Sequence, residues 1–328
     1  MNYIEENPMS LAQSMSYDSR REIRRRRELR RKRRRLKRMM FCLIFLAVFS
    51  VCALIYAVSF REEPTPSETV VQQESNETVS HAEVKQTPKP EEKPKADYSS
   101  FHYYEADKQE RYVAYHNLNP TMDASEVVWK VNSNLDKDWY TSDIPVDGYD
   151  DPYIIVNKFY KVPDGYKPPD LVKADGFLMR KDTADAYLKM RKDAESQGFK
   201  IRAVSAYRTV EYQRGLYNRY LGEDSQANVD RYSARAGYSE HHTGMAIDLF
   251  GSVDGLRNFE NTPEYPWVRD NCYKYGFIIR YQADIEDITG YEDEPWHIRY
   301  VGPEVSTDMK NKGIKSYEEY YVKYIKHK

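Results

Sequence analysis

The stretch YSEHHTGMAIDLF, residues 238–250, decides how this chain is read. Its second half, with Gly244 ahead of it and Gly251 after it, is a short apolar run bounded by turn residues, the pattern of a buried strand. One residue breaks the pattern. Asp248 has only Met245, Ala246, Ile247, Leu249 and Phe250 around it, and none of them offers a partner. A carboxylate in such a place is costly unless it is paired or coordinated. His241 stands seven positions ahead of it, before a turn at Thr243 and Gly244, with His242 beside it.

A second stretch, DEPWHIRY at 293–300, has the same character. Glu294 and His297 flank Pro295-Trp296, which interrupts regular ladder pairing and can aim both side chains inward. The chain has seven histidines, and His81, His102, His116 and His327 lie in stalk, support or tail contexts. Two histidines, one carboxylate and a further Glu match a catalytic zinc site, with three protein ligands and a fourth position left for water. The extra Glu would take the proton of that water. The same residues also read as two satisfied histidines beside a salt-bridged Asp.

Outward from these stretches, helices interleave with a few short strands. YIIVNKFY (153–160) is strand-like, and Asp182 or Thr183 caps a helix that stops at Gly198. KIRAVSAY (200–207) is a strand, followed by a helix from Thr209 to about Tyr220. Thr262-Pro263 opens a helix closing near Gly276, and FIIRY (277–281) and HIRYVG (297–302) are further strands. Ser316 with Glu319 forms a capping box for a terminal helix. The expected fold is α+β: a small mixed or antiparallel sheet flanked by helices, carrying one metal, from residue 150 to 328.

The charges of the chain are segregated. Residues 1–38 hold 14 Lys and Arg against 5 Asp and Glu, a balance of +9, whereas the remainder has 36 against 47, a balance of −11. The main body therefore lacks the basic face that nucleic acid requires. Met39 to Phe60 is an uncharged run of 22 residues between Arg38 and Arg61, long enough to span a bilayer core. It is longer than a signal-peptide core and has no small-x-small cleavage site, so it reads as a retained anchor. The basic run before it places 1–38 in the cytoplasm, as a basic tail, and the rest outside. Residues 61–97, with Pro at 64, 66, 88, 90 and 94, cannot bury a core and read as a disordered, extended stalk. Residues 98–149 read as a helical support segment, with Val127, Val128, Val131 and Leu135 at helical spacing. Cys272 is the one cysteine beyond the apolar run, so no disulfide forms outside. It reads as a small buried hydrophobe.

Taken together, SEHHTGMAID and EPWH resemble the VanY-type D-alanyl-D-alanine carboxypeptidases, zinc peptidases of peptidoglycan. The family pattern is matched through Ser239, His241, Gly244, Ala246, Asp248, Glu294, Trp296 and His297. SAYRTVEYQ (205–213) looks like the family's substrate-binding segment, and the similarity runs over about 150–302. The resemblance implies that His241, Asp248 and His297 bind one Zn²⁺, the motif register selecting His241 over His242, and that Glu294 is the general base and proton donor. It implies that Arg208 polarises a carbonyl or clamps a carboxylate. Gln213 and Ser239 would contact substrate, although Ser239 could instead cap its turn. The expected protein is a membrane-anchored, extracellular D,D-carboxypeptidase acting on peptidoglycan stem peptides. An L,D-carboxypeptidase acting on tetrapeptides is the rival within the class, and a silent wall-binding module the rival outside it. No protein partner is indicated.

Overall fold

The computed structural model describes residues 96–327, except positions 142, 147, 149 and 150. The expected cytoplasmic tail, the anchor at 39–60 and the stalk up to residue 95 lie outside the described residues. Among the described residues, no helix is long and apolar enough to cross a membrane.

The segment after Ala96 carries helices α1 (Gln109–Leu118) and α2 (Ala124–Asn132). Asp123 caps α2 by accepting from the Glu126 N–H, and the helix buries Val127, Val128, Trp129 and Val131 against Tyr98, Tyr103 and Tyr112. Val322 from the far end of the chain completes this cluster. A two-residue parallel pair, β1 (Ile144–Pro145) and β2 (Tyr160–Lys161), follows.

Only the end of YIIVNKFY is therefore a strand. Ile154 and Val156 enter one apolar cluster and Ile155 another. Buried on both sides, this segment draws on side chains for hydrogen bonds: Tyr317 Oη donates to the Tyr153 carbonyl at 2.9 Å and Arg299 Nη2 to that of Ile154 at 2.7 Å. Hydrophobicity alone does not distinguish such a segment from a strand.

Strands β3 (Leu171–Ala174) and β4 (Phe177–Arg180) form an antiparallel hairpin around Asp175-Gly176, both at positive φ, the conformation that favours this dipeptide in tight hairpins. β4 runs directly into helix α3 (Lys181–Ser196). Its N-cap is Arg180, without a side-chain bond, so the expected cap at Asp182 or Thr183 is displaced. The preceding strand fixes where the helix starts, and Thr183 is buried inside its first turn.

The main sheet has four antiparallel strands in the order β5–β6–β8–β7: β5 (Arg202–Ser205), β6 (Ala246–Phe250), β7 (Phe277–Ile279) and β8 (His297–Tyr300). Helix α4 (Val210–Leu221) follows β5 and is capped by Thr209 as its sequence predicts, with Tyr212 N–H donating to Oγ1. Helix α5 (Glu264–Asn271) starts after Pro263. Alternation along the strands separates the two faces. Ile247, Leu249 and Ile298 join Tyr187, Met190 and Ala194 of α3 and Trp267 and Val268 of α5 in the main core. Each large side chain buried there contributes roughly 1.5–3 kcal/mol. Asp248, His297 and Arg299 occupy the other face. Helix α6 (Pro303–Lys312) and the short α7 (Tyr317–Tyr320) close the chain, with Ser316 Oγ accepting from Glu319 N–H at 3.2 Å.

Candidate active site

Sheet register builds the site. Asp248 of β6 is the cross-strand partner of His297 at the start of β8, so a separation of 49 positions in sequence reduces to one rung of a ladder. Neighbours across a rung share a face with their side chains in reach. His241 arrives from the 3-10 turn Glu240–Thr243 before β6, which Ser239 caps by accepting from the His241 N–H. Gly244 ends that turn at φ +69°, and a Cβ there would come within 2.9 Å of Leu171 Cδ2 and 3.2 Å of Arg180 N. The glycine thus lets the turn press against the β3–β4 hairpin, where Arg180 N–H donates to the Gly244 carbonyl at 2.9 Å.

His241, Asp248 and His297, all buried, place ligand atoms within 4.8 Å of one another. His241 Nε2 lies 3.3 Å from Asp248 Oδ2, and His297 Nδ1 lies 3.1 Å from Asp248 Oδ1. Ligands about 2.0–2.1 Å from a tetrahedral zinc stand about 3.3 Å apart, so the spacing suits that ion. The His241 tautomer suits it as well. His241 Nδ1 donates to the Ala206 carbonyl at 2.6 Å, which leaves the Nε2 lone pair facing the cluster. Two imidazoles and a carboxylate are the donor chemistry of a catalytic zinc site, and zinc is the cofactor this site fits.

The electrostatics divide the residues by task. Burial drives the His241 pKa down to about 4, with Arg208 adding to the effect, so its ring is neutral as a ligand must be. Burial alone would raise Asp248, but the Arg208 charge and the contacts with the His241 and His297 rings overcome it and hold the carboxyl well below the usual range. Glu294 moves the other way: burial, supported by the Asp248 charge, pushes it up to about 8. Its Oε2 lies 3.9 Å from His297 Nδ1. Two carboxylates in one site, one held ionised and one drawn toward neutral pH, are the arrangement of a metal ligand beside an acid–base group.

Arg208 lies just beyond β5. Its Nη2 donates to Asp248 Oδ2 at 2.6 Å, Nε to Ser205 Oγ at 2.8 Å and Nη1 to Gln213 Oε1 at 3.5 Å. Gln213 is buried, and its amide donates to the Ala234 carbonyl at 2.8 Å and to Ser233 Oγ at 3.3 Å. In the structure it ties Arg208 to the 233–234 loop. Arg208 precedes the helix that carries Gln213, which is how five residues of separation still let them meet. His242 turns away from the cluster. Its Nε2 accepts from Gly237 N–H at 3.2 Å, so Nδ1 donates to the Arg208 carbonyl at 2.8 Å. Cys272 is buried in the main core with its thiol pKa raised to about 12 by burial.

Glu240 is the residue that sequence reasoning passed over. It is fully buried, with Oε1 accepting from Arg280 Nε at 2.8 Å and Arg299 Nη1 at 3.0 Å, and Oε2 3.3 Å from His297 Nε2. A charged residue wedged between two candidate site residues in sequence was the available signal.

Residues 176–303 match the VanY family, described as D-alanyl-D-alanine carboxypeptidase. Over 182 residues the chain is 37% identical to a candidate carboxypeptidase, YodJ of Bacillus subtilis (strain 168), covering 52% of this chain and 66% of that protein. Over 162 residues it is 33% identical to the bifunctional D-Ala-D-Ala dipeptidase and D-Ala-D-Ala carboxypeptidase VanXYC of Enterococcus gallinarum, covering 45% of this chain and 82% of the relative. It spans about half the length of two further curated relatives. Among solved structures, the LdcB LD-carboxypeptidase is 35% identical with a TM-score of 0.51, covering 55% of this chain and 89% of that one. The chain belongs to the VanY family of D-alanyl-D-alanine carboxypeptidases.

Proposed function

We propose that this chain is a zinc carboxypeptidase that removes the terminal D-alanine from peptidoglycan stem peptides, in the D,D sense. The observation that carries the reading is the rung pairing Asp248 with His297, which closes a three-donor set with His241 and leaves Glu294 beside it. When bound by His241, Asp248 and His297, zinc supplies Lewis acidity that polarises a carbonyl and acidifies water. Glu294, with its raised pKa, takes the proton of the attacking water and returns it to the leaving amine. Arg208 is aimed by Asp248, Ser205 and Gln213, and its fork suits a carbonyl oxygen or the terminal carboxylate of the substrate. Gln213 and Ser239 act through the groups they hold. The uncharged run 39–60 behind a basic tail supports a single-pass anchor with the enzyme outside the cell.

The likeness to the LdcB LD-carboxypeptidase favours a second reading, cleavage of tetrapeptide stems. One experiment separates these. The full chain, in membranes washed at alkaline pH, is incubated with stem pentapeptide and with tetrapeptide, with and without a chelator. Chelator-sensitive loss of one D-alanine from the pentapeptide alone is the expected result. Cleavage of the tetrapeptide alone would replace the D,D assignment, cleavage of neither would return the chain to a wall-binding module, and release of the chain by the wash would remove the anchor.

A further inference from the structure

The mechanism above leaves a buried ionic cluster unused. Arg280 and Arg299 have no exposed side-chain surface, and both donate to Glu240 Oε1. Arg280 also grips Glu318 through two N–H groups, at 2.6 and 3.1 Å. Asn157 Nδ2 and Ser316 Oγ donate to Glu318 at 3.2 and 3.3 Å. Two arginines and two glutamates balance each other, so the cluster itself carries no net charge. Such a cluster is costly to desolvate and is weak support for stability, so its position calls for a reason.

That position is directly behind a metal donor. Glu240 Oε2 is 3.3 Å from His297 Nε2, while His297 Nδ1 faces Asp248. An imidazole that donates through one nitrogen to a carboxylate keeps a lone pair on the other and is fixed in orientation, which strengthens its grip on a metal. The two arginines both donate to Glu240 and hold its carboxylate in place, and Glu318 compensates Arg280. Glu318 belongs to α7, beyond the residues that match the family. The same C-terminal stretch continues to Val322 in the aromatic cluster of the N-terminal segment.

We propose that Glu240 is a positioning residue for the ligand His297, and that α7, through Glu318 and Arg280, is a working part of the metal centre. This rests on the zinc reading above. The test uses the full chain stripped of metal, with zinc affinity measured by chelator competition, the Co²⁺ absorption spectrum as a report on the ligand field, and melting of the metal-free protein. Glu240→Gln is expected to weaken zinc binding by roughly 10- to 100-fold and to alter the Co²⁺ spectrum. Because a single change can leave a buried charge unpaired, the second variant removes a pair together. Arg280→Met with Glu318→Leu is expected to fold and still to lose affinity, by roughly 2- to 30-fold. Folded variants with the parent's zinc affinity and Co²⁺ spectrum would overturn the proposal while leaving the zinc reading intact. A parent chain that binds no zinc would overturn both.

Discussion

Arg208 meets Asp248 at the site with 19% of its side chain still exposed, whereas Arg280 and Arg299 meet Glu240 and Glu318 with 0–1% exposed. Both clusters touch proposed metal donors, Asp248 in the first and His297 in the second, and both use arginine and carboxylate. Water reaches the first, so its guanidinium can exchange a protein partner for a substrate group at little cost. No water reaches the second, and each of its charges is held by a protein partner. Solvent access, more than residue type, separates a group suited to bind substrate from one suited to hold a scaffold.

The strongest challenge to this division addresses the proposed acid–base group itself. Glu294→Ala should lower kcat by about 10²- to 10⁴-fold with zinc content unchanged by metal analysis; full turnover would remove Glu294 from its role. Next come the two clusters measured against each other by urea unfolding. Arg280→Ala should cost about 3–5 kcal/mol, because it strands buried carboxylates. Arg208→Ala should cost the zinc-loaded protein about 1 kcal/mol or less, with its loss appearing in kcat/KM instead. Equal destabilisation by both would erase the distinction.

A smaller effect comes from Lys158, a buried cation with no carboxylate bound to it among the described residues. Its ammonium donates to the Asp230 carbonyl and lies over the rings of Tyr291 at 4.2 Å and Tyr140 at 5.1 Å. Burial pushes its pKa down to about 8, with Arg235 and Arg231 adding to the shift and the charges of Asp230 and Glu294 opposing it. The unfolded chain keeps the proton up to about 10.4. Below pH 8 both states are protonated and the native state bears the penalty in full. Between pH 8 and 10.4 the unfolded state binds more protons, so stability rises with pH. Relative to Lys158→Met, the parent should gain up to about 3 kcal/mol across that window. A flat difference between the two would show that the rings and the Asp230 carbonyl already compensate the charge.

Much of the fold could be read locally because its signals are local. Thr209 caps its helix with its own hydroxyl, Gly198 and Gly276 stop the chain at positive φ, and the run 246–250 is apolar between glycines. The Asp175-Gly176 hairpin was equally local and went unread. Other features depended on neighbours. Tyr153–Phe159 carries strand-like residues, but packing on both sides left it outside the sheet. Asp182 and Thr183 are sound caps in isolation, yet β4 feeds α3 two or three residues sooner. Gln213 has the chemistry to meet substrate, while its amide is spent on the 233–234 loop and on Arg208.

From the sequence alone came the residue types that a zinc site needs, their grouping in two short stretches, and the conflict of Asp248 with its apolar surroundings. Those properties follow from composition and spacing. The tertiary structure decided which groups face one another: Asp248 against His297 through sheet register, His242 turned aside by two backbone contacts, and Glu240 joined to Glu318 across 78 residues of chain. The reason is physical. A desolvated charge is stabilised by whatever the fold brings within about 3 Å of it, and that neighbour is set by long-range packing that no local pattern encodes.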